Sequence, residues 1–289
     1  MRHQSILQPK IIRVMILISF IPFLSSCAST PQRHDPFFYI ENVFPYLEKG
    51  QYGQAISVLD KMIDNNPRDA LAYGIRGSVY QKMGKFDQAI SDLNESIQIN
   101  PKLGPNYESR AHVYTEVGEY DKALSDYTKA LEISPKETEN YISRGFVYMK
   151  KMEFDQAISD FSRVVQLRPR NVDGYKWRGL AYREKRQYDQ AISDFTKAIE
   201  LTPSDYVTYN HRGFAFYHKG QYDQAISDYT KALEINPRSD AAYYNRGVAY
   251  YSKHEYDKSW NDIKRAQDLG YKIPPKFLDD LQKASGREK

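Results

Sequence analysis

Six prolines, Pro67, Pro101, Pro135, Pro169, Pro203 and Pro237, recur every 34 residues without an insertion. A fixed period of that length marks a repeat architecture, in which each unit buries its apolar face only against its neighbours. At 289 residues the chain could be two ordinary domains, but a repeat overrides that prior. Within each period the same residue types return. Tyr73, Tyr107, Tyr141, Tyr175, Tyr209 and Tyr243 are followed three residues on by Arg and a small residue, then by an aromatic at Tyr80, Tyr114, Tyr148, Tyr182, Phe216 and Tyr250. Spacings of three, four and seven put these side chains on one face of a helix. Each unit therefore reads as two antiparallel helices. Gly77, Ala111, Gly145, Gly179, Gly213 and Gly247 leave room on the first helix, and Ala89, Ala123, Ala157, Ala191 and Ala225 on the second. The proline then stops the second helix.

This pattern, aromatic-x-x-Arg-Gly-x-x-Tyr, then Ala-x-x-x-aromatic, then Pro, resembles the tetratricopeptide repeat over about residues 36–271. Arg stands where that family usually has Leu before the small residue. The resemblance implies an all-α fold, a right-handed superhelical α-solenoid of about seven helix-turn-helix repeats with a short C-terminal capping helix. Its expected boundaries are a degenerate first repeat at 36–69 and repeats at 70–103, 104–137, 138–171, 172–205, 206–239 and 240–273, with the capping helix and tail at 274–289. The first unit has Asn42 and Val43 in place of Arg-Gly, and Pro45 where a helix interior should be. The seventh has Ser259 for Ala and Tyr271 for Pro. Atypical ends suit an array whose terminal units lack a neighbour. Pro274 and Pro275 open the last segment, with Phe277, Leu278 and Leu281 on one face and an end before Gly286.

A hydrophobic share of 41% with 14% aromatics is enough to build a continuous core and excludes disorder as the bulk state. The net charge of +4 includes Arg2, Lys10 and Arg13 within residues 1–26, a stretch without an acid; without it the charge falls to +1. A near-neutral chain of interspersed signs lacks the basic stripe that phosphate-backbone binding needs, so no nucleic-acid partner is expected. The one cysteine, Cys27, rules out an internal disulfide framework and a cysteine-built metal cage.

The basic start precedes an apolar run at residues 14–24, then Ser25, Ser26 and Cys27. This is the grammar of an export signal, and the eleven-residue run falls short of the roughly 20 residues that cross a bilayer. Leu24-Ser25-Ser26-Cys27 resembles the lipobox of bacterial lipoproteins. That resemblance implies a signal peptide at 1–26, acylation of Cys27 (a palmitate-type tether) and a linker at 27–35. Ala28 is not the Asp that inner-membrane lipoproteins often carry, which points to the outer membrane facing the periplasm. An ordinary secretory signal, or an uncleaved segment on a cytosolic adaptor, is the alternative.

Six arginines at the 34-residue period, Arg76 to Arg246, invite two readings: a ladder of anion-binding groups, or internal pairs with the Asp sixteen residues later (Asp92, Asp126, Asp160, Asp194, Asp228 and Asp262). The unit without the Arg (Asn42) also lacks the Asp (Val58), which favours pairing. No phosphate loop, nucleophile elbow or zinc-protease helix is present, so no enzyme activity, cofactor or metal is expected. His211 and His218 lie two turns apart, roughly 10.5 Å of rise, too far to share a metal. The periodic Asp residues that open the second helices (Asp87, Asp121, Asp155, Asp189, Asp223 and Asp257) read as offsets to exposed helix N–H groups. In the tetratricopeptide family the first helices line a groove whose variable side chains choose the ligand. The matching positions here include Lys176, Leu180 and Arg183, then Asn210, Phe214, Tyr217 and His218, then Tyr244 and Tyr251. Aromatic anchors beside cations suit an extended peptide, although aromatics at helical spacing also serve as core. The family's chaperone-tail clamp is absent, since Lys176 is followed by Leu180 rather than Asn. The expected function is a lipid-anchored scaffold that docks protein or peptide clients in the bacterial cell envelope. A cell-wall enzyme with a site composed across repeats is the competing class.

Overall fold

A computed structural model describes Tyr39 and residues 41–286, so the signal segment, Cys27 and the linker lie outside the described residues. Among the described residues there are fifteen helices and no strand. The chain divides into two compact units, Met1–Asn140 and Tyr141–Lys289. The N-terminal unit contains α1 (Phe44–Glu48), α2 (Tyr52–Asn65), α3 (Ala70–Lys82), α4 (Phe86–Ile99), α5 (Gly104–Glu116) and α6 (Tyr120–Ile133). The C-terminal unit takes up α7 (Thr138–Lys150) from residue 141, then α8 (Phe154–Leu167), α9 (Val172–Glu184), α10 (Tyr188–Leu201) and α11 (Tyr206–His218). It continues with α12 (Tyr222–Ile235), α13 (Asp240–Ser252), α14 (Tyr256–Asp268) and α15 (Pro275–Ser285). Within each unit, helices pack on those next to them in sequence, first against second within a repeat and second against the following first.

Local chemistry sets the boundaries. Several first helices start on a side-chain cap: Asp69 Oδ1 accepts from the Leu71 and Ala72 amides, and Asn171 Oδ1 from the Gly174 amide. Second helices lack such caps, but from α4 onward they carry an Asp in the first turn, where negative charge meets the exposed N–H groups. α4, α10 and α12 stop two residues before Pro101, Pro203 and Pro237, as the period predicts. The turn inside a repeat needs a left-handed residue. Gly50, Gly84, Gly118 and Gly220 supply it, while Met152, Arg186 and His254 adopt it at the same register with φ of 61, 58 and 62°. In the first repeat the helix breaks with a turn at Val43, and Pro45 sits in the opening turn of α1, where its missing N–H costs nothing.

Packing repeats as regularly as the sequence. In the C-terminal unit Phe161, Phe195 and Tyr229 are essentially fully buried. A Cβ placed on Gly145, Gly179 or Gly213 would come within 2.7–2.8 Å of those rings, so glycine at these three positions lets the two helices of the repeat close up. Phe195 also packs with Ala191 and with Ala215 of the next repeat, which ties one hairpin to the following one. Burying each such ring is worth about 1.5–3 kcal/mol.

The arginine ladder is a bracket. Each of the six arginines grips the Asp sixteen residues later with two parallel bonds; in Arg178 these run from Nε and Nη2 to Asp194 Oδ2 and Oδ1 at 2.8 and 2.7 Å. In five of them the third arm reaches back sixteen residues to the preceding repeat: Arg76 to Asp60, Arg110 to Asn94, Arg178 to Ser162, Arg212 to Thr196 and Arg246 to Thr230. The hydrogen bonds it donates to Asp194 push the Arg178 guanidinium further up, while burial outweighs the arginine and lifts the Asp194 carboxyl above its ordinary range. The two shifts pull opposite ways on the pair. We take it as charged, because a guanidinium holds its proton throughout.

Candidate functional site

The first helices of the fifth and sixth repeats, α9 and α11, bring several sequence-identified residues together. Arg183, in the last turn of α9, lays its guanidinium over the Phe214 ring, 5.3 Å from the centroid. Phe214 meets His218 at 4.3 Å, and His218 stacks on Tyr188 at 5.4 Å with planes only 11° apart. Tyr217 meets the edge of His218 and exchanges a 3.0 Å hydrogen bond with Ser252. Asn210 accepts a 3.0 Å bond from Asn245 on α13. Leu180 goes to the core cluster with Phe195 and Ala215.

The remaining candidates are engaged elsewhere. Lys176 pairs with Asp205 at 2.7 Å, the residue that caps α11. Tyr244 stacks on Tyr271 at 4.5 Å, and both Tyr244 and Tyr251 meet Phe277 of α15 edge-on. The terminal helix thus covers the outer aromatics of the seventh repeat. Leu281 anchors it, fully buried.

Charge at this site is set by Arg183. Its Nη1 lies 3.0 Å from His211 Nδ1, and since a guanidinium only donates, that nitrogen accepts and the proton sits on Nε2. Burial, then the charges of Arg183 and Lys176, push His211 down to about 4. Burial, then Arg186 and Arg183, also hold His218 below its ordinary range. The other arms of Arg183, Nε and Nη2, both donate to one oxygen of Glu184, at 3.2 and 2.6 Å. These groups surround a cavity of about 440 Å³ lined by Arg183, Glu184, Arg186, Tyr188, Phe214 and His218.

Tyr188 and Arg186 were not identifiable from the groove register, because they lie on the turn and at the start of a second helix. The available signal was the non-glycine residue where Gly84, Gly118 and Gly220 stand in other repeats. Among the described residues no group of three His, Cys, Asp or Glu could hold a metal ion, and no helix is long and apolar enough to cross a membrane.

Comparison with known proteins agrees with this architecture. A tetratricopeptide repeat model matches residues 70–103, 107–137 and 172–205, and two further models of such repeats match 195–227 and 215–253. A tetratricopeptide repeat protein from Parabacteroides merdae is similar at 24% identity and a TM-score of 0.60, over 86% of this chain and 97% of that one. YrrB, described as a TPR protein with an unusual peptide-binding site, is similar at 25% identity and a TM-score of 0.55, over 67% of this chain and 97% of that one. MamA is similar at 26% identity and a TM-score of 0.53, over 55% and 93%. No curated protein sequence matches the chain.

Proposed function

On the premise that this chain belongs to the tetratricopeptide repeat family, we propose that it is a docking scaffold that holds a protein or peptide partner on the first helices of its fifth and sixth repeats. The observation that carries this is the pooling of Arg183, Phe214 and His218 around one cavity, with Tyr217 packed against His218 beside it. Those are amphipathic and cationic anchors of the kind that dominate binding energy at interfaces. The structure of YrrB, described as having a peptide-binding site, supports the reading by likeness. Repeats of this family generally hold partners rather than catalyse reactions, and we read this chain as non-catalytic. The test is affinity capture from cells with the wild-type chain and with Arg183→Glu combined with Tyr217→Ala. Loss of the captured partners is expected; an unchanged set would show that the surface is wrong.

The same reading places the scaffold in the bacterial cell envelope, tethered through acylated Cys27 and facing the periplasm from the outer membrane. Support comes from the lipobox-like Leu24-Ser25-Ser26-Cys27. Each buried acyl methylene adds about 0.8 kcal/mol, so a multiply acylated cysteine holds permanently. Labelled palmitate should enter the wild-type protein and be absent from Cys27→Ala; equal labelling of both would remove the anchor.

A further inference from the structure

We propose that the cavity beside α9 and α11 is a carboxylate pocket for an acidic peptide segment. An acidic side chain of the ligand bridges Arg183 and Arg186 while its apolar neighbour lies on Phe214. This deepens the docking reading and rests on it.

Four observations converge. First, the Arg186 guanidinium is exposed and makes no hydrogen bond or ion pair among the described residues. In contrast, each arginine of the 34-residue ladder is bracketed by its Asp. Second, Arg186 takes a left-handed backbone, φ 58°, at a position where four other repeats use glycine. Met152 and His254 show that the turn admits other side chains, but at Arg186 the disfavoured conformation coincides with a cavity and an unpaired cation. Strain retained at such a place points to use. Third, Arg183 spends two donors on a single oxygen of Glu184, whose side chain is 42% exposed. That partner is replaceable, and a ligand carboxylate offering both oxygens would satisfy the fork better. Fourth, the lining carries two guanidiniums against one carboxylate, and His218, placed between aromatic rings, feels both arginines.

The shape narrows the ligand. A cavity of about 440 Å³ takes one or two side chains, not a folded surface. The Phe214, Tyr188 and His218 rings give it an apolar wall that a bare inorganic anion would leave unused. The Glu184 carboxylate in the lining repels a run of phosphates more strongly than a single carboxylate.

The test uses fluorescence anisotropy with the full chain and three short labelled peptides that differ only in a central Leu-Glu-Glu, Leu-Gln-Gln or Leu-Lys-Lys. The acidic peptide should bind about tenfold tighter than its amide counterpart, the size of one charge-assisted contact, with an advantage that shrinks as salt is added. Arg186→Gly should lose most of that advantage while melting no lower than the wild type, because glycine relieves the left-handed turn. Glu184→Gln should strengthen acidic binding by removing the internal competitor. Equal binding of the acidic and amide peptides, or wild-type binding by Arg186→Gly, would overturn the pocket and leave the docking reading standing. Binding of none of the three would also overturn the pocket; whether the docking surface falls with it is then decided by the affinity capture with Arg183→Glu and Tyr217→Ala.

Discussion

Along the first helices of the N-terminal unit, Ser78 donates to Ser109 and Gln81 donates to Glu116. At the same registers in the C-terminal unit stand Phe214 and Tyr217, beside Arg183 and His218. Neighbouring repeats are bonded in both stretches, but the side chains of one are small or polar and those of the other aromatic and cationic. The turns differ as well. Lys185, Lys219 and Lys253 reach back to Asp155, Asp189 and Asp223 at the start of the preceding repeat's second helix, the last pair at 2.6 Å. Met83 and Val117 hold that register in the N-terminal unit and are 38% and 40% exposed. What both units keep is the small residue under a buried side chain and the Arg–Asp bracket. The repeat fixes how hairpins stack and leaves the surface free to diverge, so ligand chemistry is to be sought where the units differ.

The bracket is the shared element, so breaking it should have the largest effect. Arg178→Glu leaves Asp194 buried against a like charge and should cost about 3–5 kcal/mol in denaturant unfolding. Reversing Asp194 to Arg in the same chain should recover part of the loss through coupling. Arg76→Glu should cost more, because Asp60 as well as Asp92 then faces the new carboxylate.

Acid should sharpen the contrast between the units. In the folded C-terminal unit His211 protonates near pH 4 instead of at its ordinary 6.5. The unfolded chain therefore takes up that proton first. Stability falls as the pH drops from about 6.5 to about 4, by up to about 3 kcal/mol. Urea midpoints measured across that range should lose this step in His211→Gln.

Gly179→Ala asks whether the aromatic-over-glycine packing can accept what the third repeat already carries in Ala111. The new methyl would stand 2.8 Å from Phe195. Overpacking should exceed the gain in helix propensity, leaving a net loss of about 1 kcal/mol by calorimetry. Ser259→Ala makes the seventh repeat resemble the others. The buried Ser259 hydroxyl has no partner, so its removal should raise stability by about 1 kcal/mol. Val117→Lys imports the turn lysine of the C-terminal unit opposite Asp87. Its melting temperature should rise by about a degree at low salt and by nothing measurable at high salt.

The period carried most of the fold. The helix ends before Pro101, Pro203 and Pro237, the Arg–Asp pairs and the capping segment ending at Gly286 all repeat, or end, in ways a single sequence displays. The third arm of five of these arginines did not. Its acceptor is Asp60, Asn94, Ser162, Thr196 or Thr230, and a changing residue type leaves no pattern to read. The lysine struts were visible at a spacing of thirty, but the periodic Asp residues already had an explanation at the helix N-termini. At the candidate site, register located Arg183 and Phe214. It could not foretell that Asp205 would engage Lys176 or that Phe277 would cover Tyr244 and Tyr251, because those contacts come from a cap and a terminal helix outside the repeating face.

The claim that the partner is held on the first helices of the fifth and sixth repeats is tested most directly by photocrosslinking in intact cells. A crosslinking residue in place of Tyr217 on α11 should capture a discrete partner. One in place of the exposed Gln224 on α12 should capture none above background. Equal capture from both positions, or capture from Gln224 alone, would contradict it.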